Sequence, residues 1–143
     1  MIIPTELGQF FEKIHFEGYP LIEIPQTFDD TRGTIINIAD GKIGDVALIT
    51  SNSGSVRANH FHNEDWHLCY LLSGKLHYYW KTISDTSKSQ NKIIEAGQLI
   101  FTPASVAHKM EFLNKSSMIV ISRSSRKKNI YENDTFRLSE NYF

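Results

Sequence analysis

One cysteine, four prolines and no long apolar run set the first limits on this 143-residue chain. The lone Cys69 excludes an intrachain disulfide and suits a reducing compartment. No apolar stretch approaches the roughly 20 residues that cross a bilayer as a helix. The opening MIIPTELGQFFEKIHF has no basic n-region followed by an apolar h-region. These absences predict a cytoplasmic protein with no membrane partner. Neither sign of charge dominates: 15 basic and 16 acidic residues give a net charge of -1, too small for general attraction to nucleic acid. A helix-turn-helix segment is also missing, so no nucleic-acid partner is expected. With no linker and no solenoid repeat, residues 1–143 form one expected domain, of a size that buries a real core.

What is present reads as β structure after a helical start. Leu7, Phe10, Phe11 and Ile14 fall at helical spacing within residues 5–16, with Thr5 as the cap. Residues 1–20 are thus expected as an N-terminal helix or dimerisation segment. Downstream, YPLIEIPQTF, TIINIA and DVALITS are short runs with β-branched residues and alternation, separated by turn residues. WHLCYLLSGKLHYYWKTI predicts two strands forming a hairpin about Ser73-Gly74, followed by the exposed polar loop TISDTSKSQN. KIIEAGQLIFTPASVAHKMEFL and SMIVISRS supply further strands, parted near Asn114. So many short strands in one domain predict an all-β, two-sheet sandwich or small barrel. Tyr70, Tyr78, Tyr79 and Trp80 read as barrel packing before a sugar-stacking platform. The basic run Arg126-Lys127-Lys128 reads as a solvated face, with a phosphate-binding edge as the alternative, and the aromatic C-terminal end as a cover for the barrel or a neighbouring subunit.

Three of the six histidines crowd into SVRANHFHNEDWHLCYLLSG, residues 55–74. His60 and His62 differ by two and so face one side of an extended strand. His67 opens the next strand, and antiparallel pairing would bring it beside them. His108 follows the Pro103 turn and reaches the same centre only if the fold carries it there. Converging imidazoles suit Zn, Fe, Ni or Cu. They equally suit proton transfer, since an unperturbed imidazole titrates near pH 6.5.

The segment Gly54, His60, His62, His67, Gly74 resembles the first motif of the cupin superfamily, and Gly97, Pro103, His108 the second. Ser105 replaces the common glycine after the proline, Asn114 is displaced, and His67 stands where many metal-binding cupins carry glutamate. The two motifs together span about 60 residues. A narrower resemblance rests on Asp30-Thr31-Arg32-Gly33, on Arg57-Ala58-Asn59-His60-Phe61-His62, and on NDTFRL. These are similar to the D-x-R-G turn, the R-G-x-H-x-(H or Q) strand and the late DTYF segment of sugar-nucleotide cupins. That group includes dTDP-4-dehydrorhamnose 3,5-epimerases, dTDP-4-keto-6-deoxyhexose ketoisomerases and capsular-sugar cupin domains. Ala58 takes the place of the strand's glycine.

The resemblance implies a single-domain RmlC-like cupin jelly-roll barrel, a homodimer, acting on a nucleotide-diphosphate sugar. The implied reaction is epimerisation or keto-isomerisation of a nucleotide-linked 4-keto-6-deoxy sugar in surface-polysaccharide biosynthesis. His60 and His62 align with the catalytic histidines, and Arg57 and Arg32 with substrate contacts. His60, His62, His67 and His108 form the implied metal set, for Zn, Fe or Ni, with no organic cofactor. Three tensions accompany this reading. In a regular strand Arg57 faces away from His60 and His62, and a bulge or twist is needed to bring them together. A nitrogen bound to metal cannot also take a proton; in that case Glu64 or His77 would have to be the base. The epimerases' acid tyrosine, on the strand after the second motif, has no counterpart in SMIVIS. The alternative function is a metal-binding cupin serving as a small-molecule sensor or Fe-dependent oxygenase.

Overall fold

The computed structural model describes residues 4–8, 10, 20–22, 27–86 and 88–143. Its strands are β1 (Leu21–Ile22), β2 (Thr27–Asp30), β3 (Gly33–Ile36), β4 (Asp45–Ser51), β5 (Val56–Phe61), β6 (His67–Ser73), β7 (Lys75–Thr82), β8 (Gln90–Glu95), β9 (Leu99–Thr102), β10 (Val106–Phe112), β11 (Ser116–Ser122) and β12 (Phe136–Arg137). One short helix, α1 (Lys128–Asn133), precedes β12. Two five-stranded antiparallel sheets form, in the orders β1-β9-β6-β11-β4 and β12-β5-β10-β7-β8. Together they make the two-sheet barrel that the strand-rich sequence predicts, in the jelly-roll form that the cupin resemblance implies.

Alternation decides which side chains fill the space between the sheets. In β7 every second residue is buried, placing Leu76, Tyr78 and Trp80 inside. They pack with Cys69, Leu71, Ile94, Ile100, Val106, Met110, Phe112, Met118 and Val120. Each such burial contributes about 1.5–3 kcal/mol relative to exposure. A second cluster lies where Leu68, Leu99, Phe101 and Ile121 meet Leu7, Phe10 and Trp66. The first sheet is thus buried on both sides over much of β6, which explains the unbroken apolar run HLCYLL.

That difference between β6 and β7 corrects the expected hairpin at Ser73-Gly74. β6 and β7 belong to different sheets and do not pair. β7 pairs with β8 instead, around the polar loop. Gly74 carries the chain across at φ +92°, and a Cβ there would sit 2.0 Å from Ser116 Oγ. Only glycine meets both demands.

At the N-terminus a 3-10 turn covers Thr5–Leu7, with Pro4 rather than Thr5 at the cap position. Apart from Gly8 and Phe10, the remainder of the helix expected over 5–16, and most of the dimerisation segment expected over 1–20, lies outside the described residues. Strands β2 and β3 form a separate hairpin, with Phe28 66% and Ile35 68% exposed. Among the described residues no helix is long and apolar enough to cross a membrane.

Candidate functional site

Four histidines converge at one end of the barrel interior. His60 on β5 is the register partner of His108 on β10. His62 follows on the same face one residue after β5, and His67 enters from β6 in the opposite sheet. The rings of His60 and His62 lie 4.6 Å apart between centroids, His60 and His108 4.8 Å, and His62 and His67 4.9 Å. All four are buried. The structure therefore brings together every residue of the expected histidine set.

Hydrogen bonds orient these rings. His62 Nδ1–H donates to the Asp134 carbonyl at 2.6 Å, and His108 Nδ1–H donates to the Val106 carbonyl at 3.0 Å. Because a carbonyl only accepts, both Nδ1 atoms carry hydrogen, which leaves Nε2 as the lone-pair nitrogen of each neutral ring. His62 Nε2 is buried with no hydrogen-bond partner among the described residues. His67 differs: its Nε2 bonds Asp65 Oδ2 at 3.0 Å, with both side chains buried.

Electrostatics keeps most of the cluster uncharged. Burial pushes His60 far below the usual imidazole range, and the nearby His108, His62 and His67 push it further. Burial, then His67, takes His108 down to about 3. His62 is also lowered by burial and His67, but the Asp134 carbonyl and the charges of Asp65 and Asp134 oppose that shift. For Asp65, burial raises the carboxyl, yet bonds from His67 and the Ser124 N–H outweigh it and hold it below its usual value.

Arg57 reaches the same cavity because β5 is not regular. Ala58 and Asn59 adopt φ +63° and +58°, and the β5–β10 register shifts between His108 and Lys109. This bulge adds one residue on β5 and re-aims its neighbours. Arg57 and His60 consequently line one cavity of about 120 Å³. Arg57 is held there by Nε–H to Ser51 Oγ and a terminal N–H to the Thr50 carbonyl, each at 2.8 Å. The glycine of the related motif is intelligible here: residue 58 occupies left-handed space, where alanine is strained by about 1–2 kcal/mol.

The C-terminal segment supplies groups that the sequence reading did not place. Arg126 and Tyr131 line the cavity with His60, His67, His108 and Arg57. The Tyr131 ring stands 5.8 Å from His62 and 6.4 Å from His60. Asp134 pins this segment, its carboxylate accepting the backbone N–H groups of Asn63, Glu64 and Asp65 at 2.9, 3.1 and 2.9 Å. β12 then pairs with β5, so that the cap rests directly on the strand carrying His60. The NDTFRL motif was a signal for this segment, but contacts spanning some 70 residues are invisible to local spacing.

Other expected residues lie elsewhere. Arg32, at the β2–β3 turn, is 86% exposed and paired with Asp30 at 2.6 Å, so the chain does not bring it to the cavity. His77 bonds Asn91 and Tyr79 and does not line the cavity. Glu64 borders a separate groove with Trp66, Pro103 and Arg123. Neither alternative base is beside the histidine cluster's cavity.

The donor set fits a divalent metal. His60, His62 and His108 each offer a nitrogen, all within 4.8 Å of one another. His62 and His108, with hydrogen-bonded Nδ1 atoms that leave a lone pair on Nε2, suit Zn, Fe or Ni. The unpartnered Nε2 of His62 is the observation that most directly accords with such a ligand.

No protein-family model matches this chain. No curated protein matches it either. Solved structures do. A dTDP-4-dehydrorhamnose 3,5-epimerase from Sulfolobus tokodaii is 17% identical with TM-score 0.71, over 92% of this chain and 85% of that one. A 3,4-ketoisomerase from Helicobacter canadensis is 15% identical with TM-score 0.66, over 80% and 87%. The capsular polysaccharide assembling protein CapF from Staphylococcus aureus is 21% identical with TM-score 0.61; the match covers 85% of this chain but 33% of CapF. The fold is accordingly that of the RmlC-like cupins.

Proposed function

We propose that this protein moves a proton at the carbon beside a ketone in a nucleotide-linked 4-keto-6-deoxy sugar, resulting in epimerisation or keto-isomerisation during surface-polysaccharide synthesis. The observation that carries the reading is that the buried His60, His67 and His108 share one cavity with Arg57, inside a barrel like those of an epimerase and a ketoisomerase. A ketone acidifies the adjacent C–H bond, and a positioned imidazole removes that proton and returns it. His60 lines that cavity and is the imidazole placed to meet the ligand. His62 stands beside it, 4.6 Å away between ring centroids, and is placed to relay the proton: its Nδ1–H is anchored on Asp134, and Asp65 and Asp134 offset the charge it gains. Arg57 binds the diphosphate through the part of its guanidinium fork that Ser51 and Thr50 leave unused.

The second reading is a metal-binding cupin acting as a small-molecule sensor or Fe-dependent oxygenase, favoured by the Nε2 lone pairs of His62 and His108 and by the closeness of the His60, His62 and His108 nitrogens. Zn, Fe or Ni held by His60, His62 and His108 would supply Lewis-acid polarisation of a ligand oxygen. His67 stands next to that triad, with its Nε2 taken by Asp65. We further read the molecule as a cytoplasmic homodimer. The exposed Phe28 and Ile35 of the β2–β3 hairpin, and Val46 and Leu48 on edge strand β4, support association.

The test is NMR of dTDP- and UDP-linked 4-keto-6-deoxy sugars incubated with the protein in D2O, alongside elemental analysis of untagged protein. The enzyme reading expects deuterium at C3, and its loss in His60→Ala and His62→Ala. No exchange in any of these sugars would overturn it. Full activity in protein stripped of metal would remove the metal from the reaction.

A further inference from the structure

The histidines occupy the depth of the cavity, whereas its cations stand toward solvent. Arg57 is an exposed residue on β5, and the Arg126 side chain is 30% exposed, just beyond the end of β11. Within the run Arg126-Lys127-Lys128, the two lysines remain exposed and only Arg126 lines the cavity. Among the described residues lining that cavity, none is acidic.

Arg126 is also under-satisfied. Its Nε is buried without a hydrogen-bond partner among the described residues. Its one ion-pair partner among the described residues is Asp45, with Nε 3.5 Å from Oδ1, and its guanidinium carbon lies 5.8 Å from the Tyr131 ring centroid. Among the described residues, Arg57 has two neutral acceptors and no carboxylate. The positive charge extends inward: the buried Cys69 thiol, pushed up to about 12 by burial, is pulled back by Arg126. Two guanidiniums thus border one small cavity whose deepest histidines are held neutral, and only one of the two has a nearby counter-ion.

We propose that Arg126 and Arg57 form a two-pronged clamp for phosphate oxygens at the cavity mouth, with Arg126 exchanging its long contact to Asp45 for the ligand. The clamp rests on the nucleotide-sugar reading and deepens it. Among the described residues, the cavity lining beyond the two arginines is imidazole, Tyr131 and apolar side chains, with no other cation to receive a phosphate. The anion therefore stays at the rim, where planar guanidinium forks match phosphate oxygens. In this arrangement Arg126 is the specificity residue for a charged, phosphorylated ligand.

Calorimetric titration of sodium pyrophosphate, dTDP and thymidine into wild type, Arg126→Ala, Arg126→Lys and Asp45→Asn tests the clamp, with folding of each checked by circular dichroism. Wild type is expected to bind the two phosphate compounds, with Arg126→Ala weakening both about tenfold or more. Arg126→Lys should fall between, since it keeps the charge and loses the fork. Asp45→Asn should bind at least as tightly as wild type because it frees Arg126. Thymidine affinity should not change. Folded Arg126→Ala binding within twofold of wild type would overturn the clamp. So would a wild type that binds neither phosphate compound, or an equal loss for thymidine. These outcomes are separate from deuterium exchange: phosphate binding that depends on Arg126 in a protein without exchange keeps the clamp and removes the reaction.

Discussion

Asp134 gives the sharpest test of how the C-terminal cap is held on the barrel. Its carboxylate accepts three consecutive backbone N–H groups of the turn between His62 and His67, two of the bonds being exposed and the one to Asp65 half-buried. A hydrogen bond to a charged acceptor contributes about 1.5–3 kcal/mol when sheltered, and exposed ones contribute less. Taking about 2 kcal/mol for the sheltered bond and about 0.5 for each exposed one, Asp134→Ala should cost about 3 kcal/mol. For a domain of this size that lowers Tm by about 10 °C. Asp134→Asn, with one acceptor oxygen and no charge, should lose about half as much. Urea unfolding gives the free energies, and amide hydrogen exchange should show protection lost at Asn63, Glu64 and Asp65. An Asp134→Ala protein within 0.5 kcal/mol of wild type would refute the reasoning, as would destabilisation with those amides still protected.

Two other expectations concern the same end of the barrel. In metal-stripped protein, stability should fall as pH drops below about 6.5. The folded pKa values of His60 and His108 lie under that of the unfolded chain, so only the unfolded state binds those protons. The slope is about 1.4 kcal/mol per pH unit for each histidine, or about 2 kcal/mol each between pH 6.5 and 5; a flat profile in urea unfolding over that window would contradict it. Ala58→Gly should raise stability by about 1 kcal/mol, because the left-handed φ of +63° strains alanine and not glycine. A loss of stability by the same measurement would mean that the bulge does not hold that geometry.

The histidines show how far local pattern carries. The two-residue step from His60 to His62 sets a shared face in any extended strand, since side chains alternate with period two. The resemblance of the glycines, proline and histidines to the cupin motifs implied a barrel in which His67 and His108 join them, and the four rings do meet. The same alternation misled at Arg57, which a regular strand turns away. The Ala58–Asn59 bulge lies within a stretch whose residue types give no local sign of a left-handed backbone at alanine. It also misled at Ser73-Gly74, where a strand, a glycine and a second strand look alike whether the chain makes a hairpin or changes sheets. The double-sided burial of β6 against the one-sided burial of β7 decides that case.

By itself, then, the sequence determined the β-rich architecture, the paired histidines on one face and the small net charge, because these follow from residue type and short-range spacing. Tertiary structure alone decided which histidines remain neutral, since burial and neighbouring charges shift a pKa and neither is encoded at the residue itself. It alone turned Arg57 inward through the bulge. It also carried Arg126, Tyr131 and Asp134 to the site from the far end of the chain, through sheet pairing and hydrogen bonds that no periodicity records.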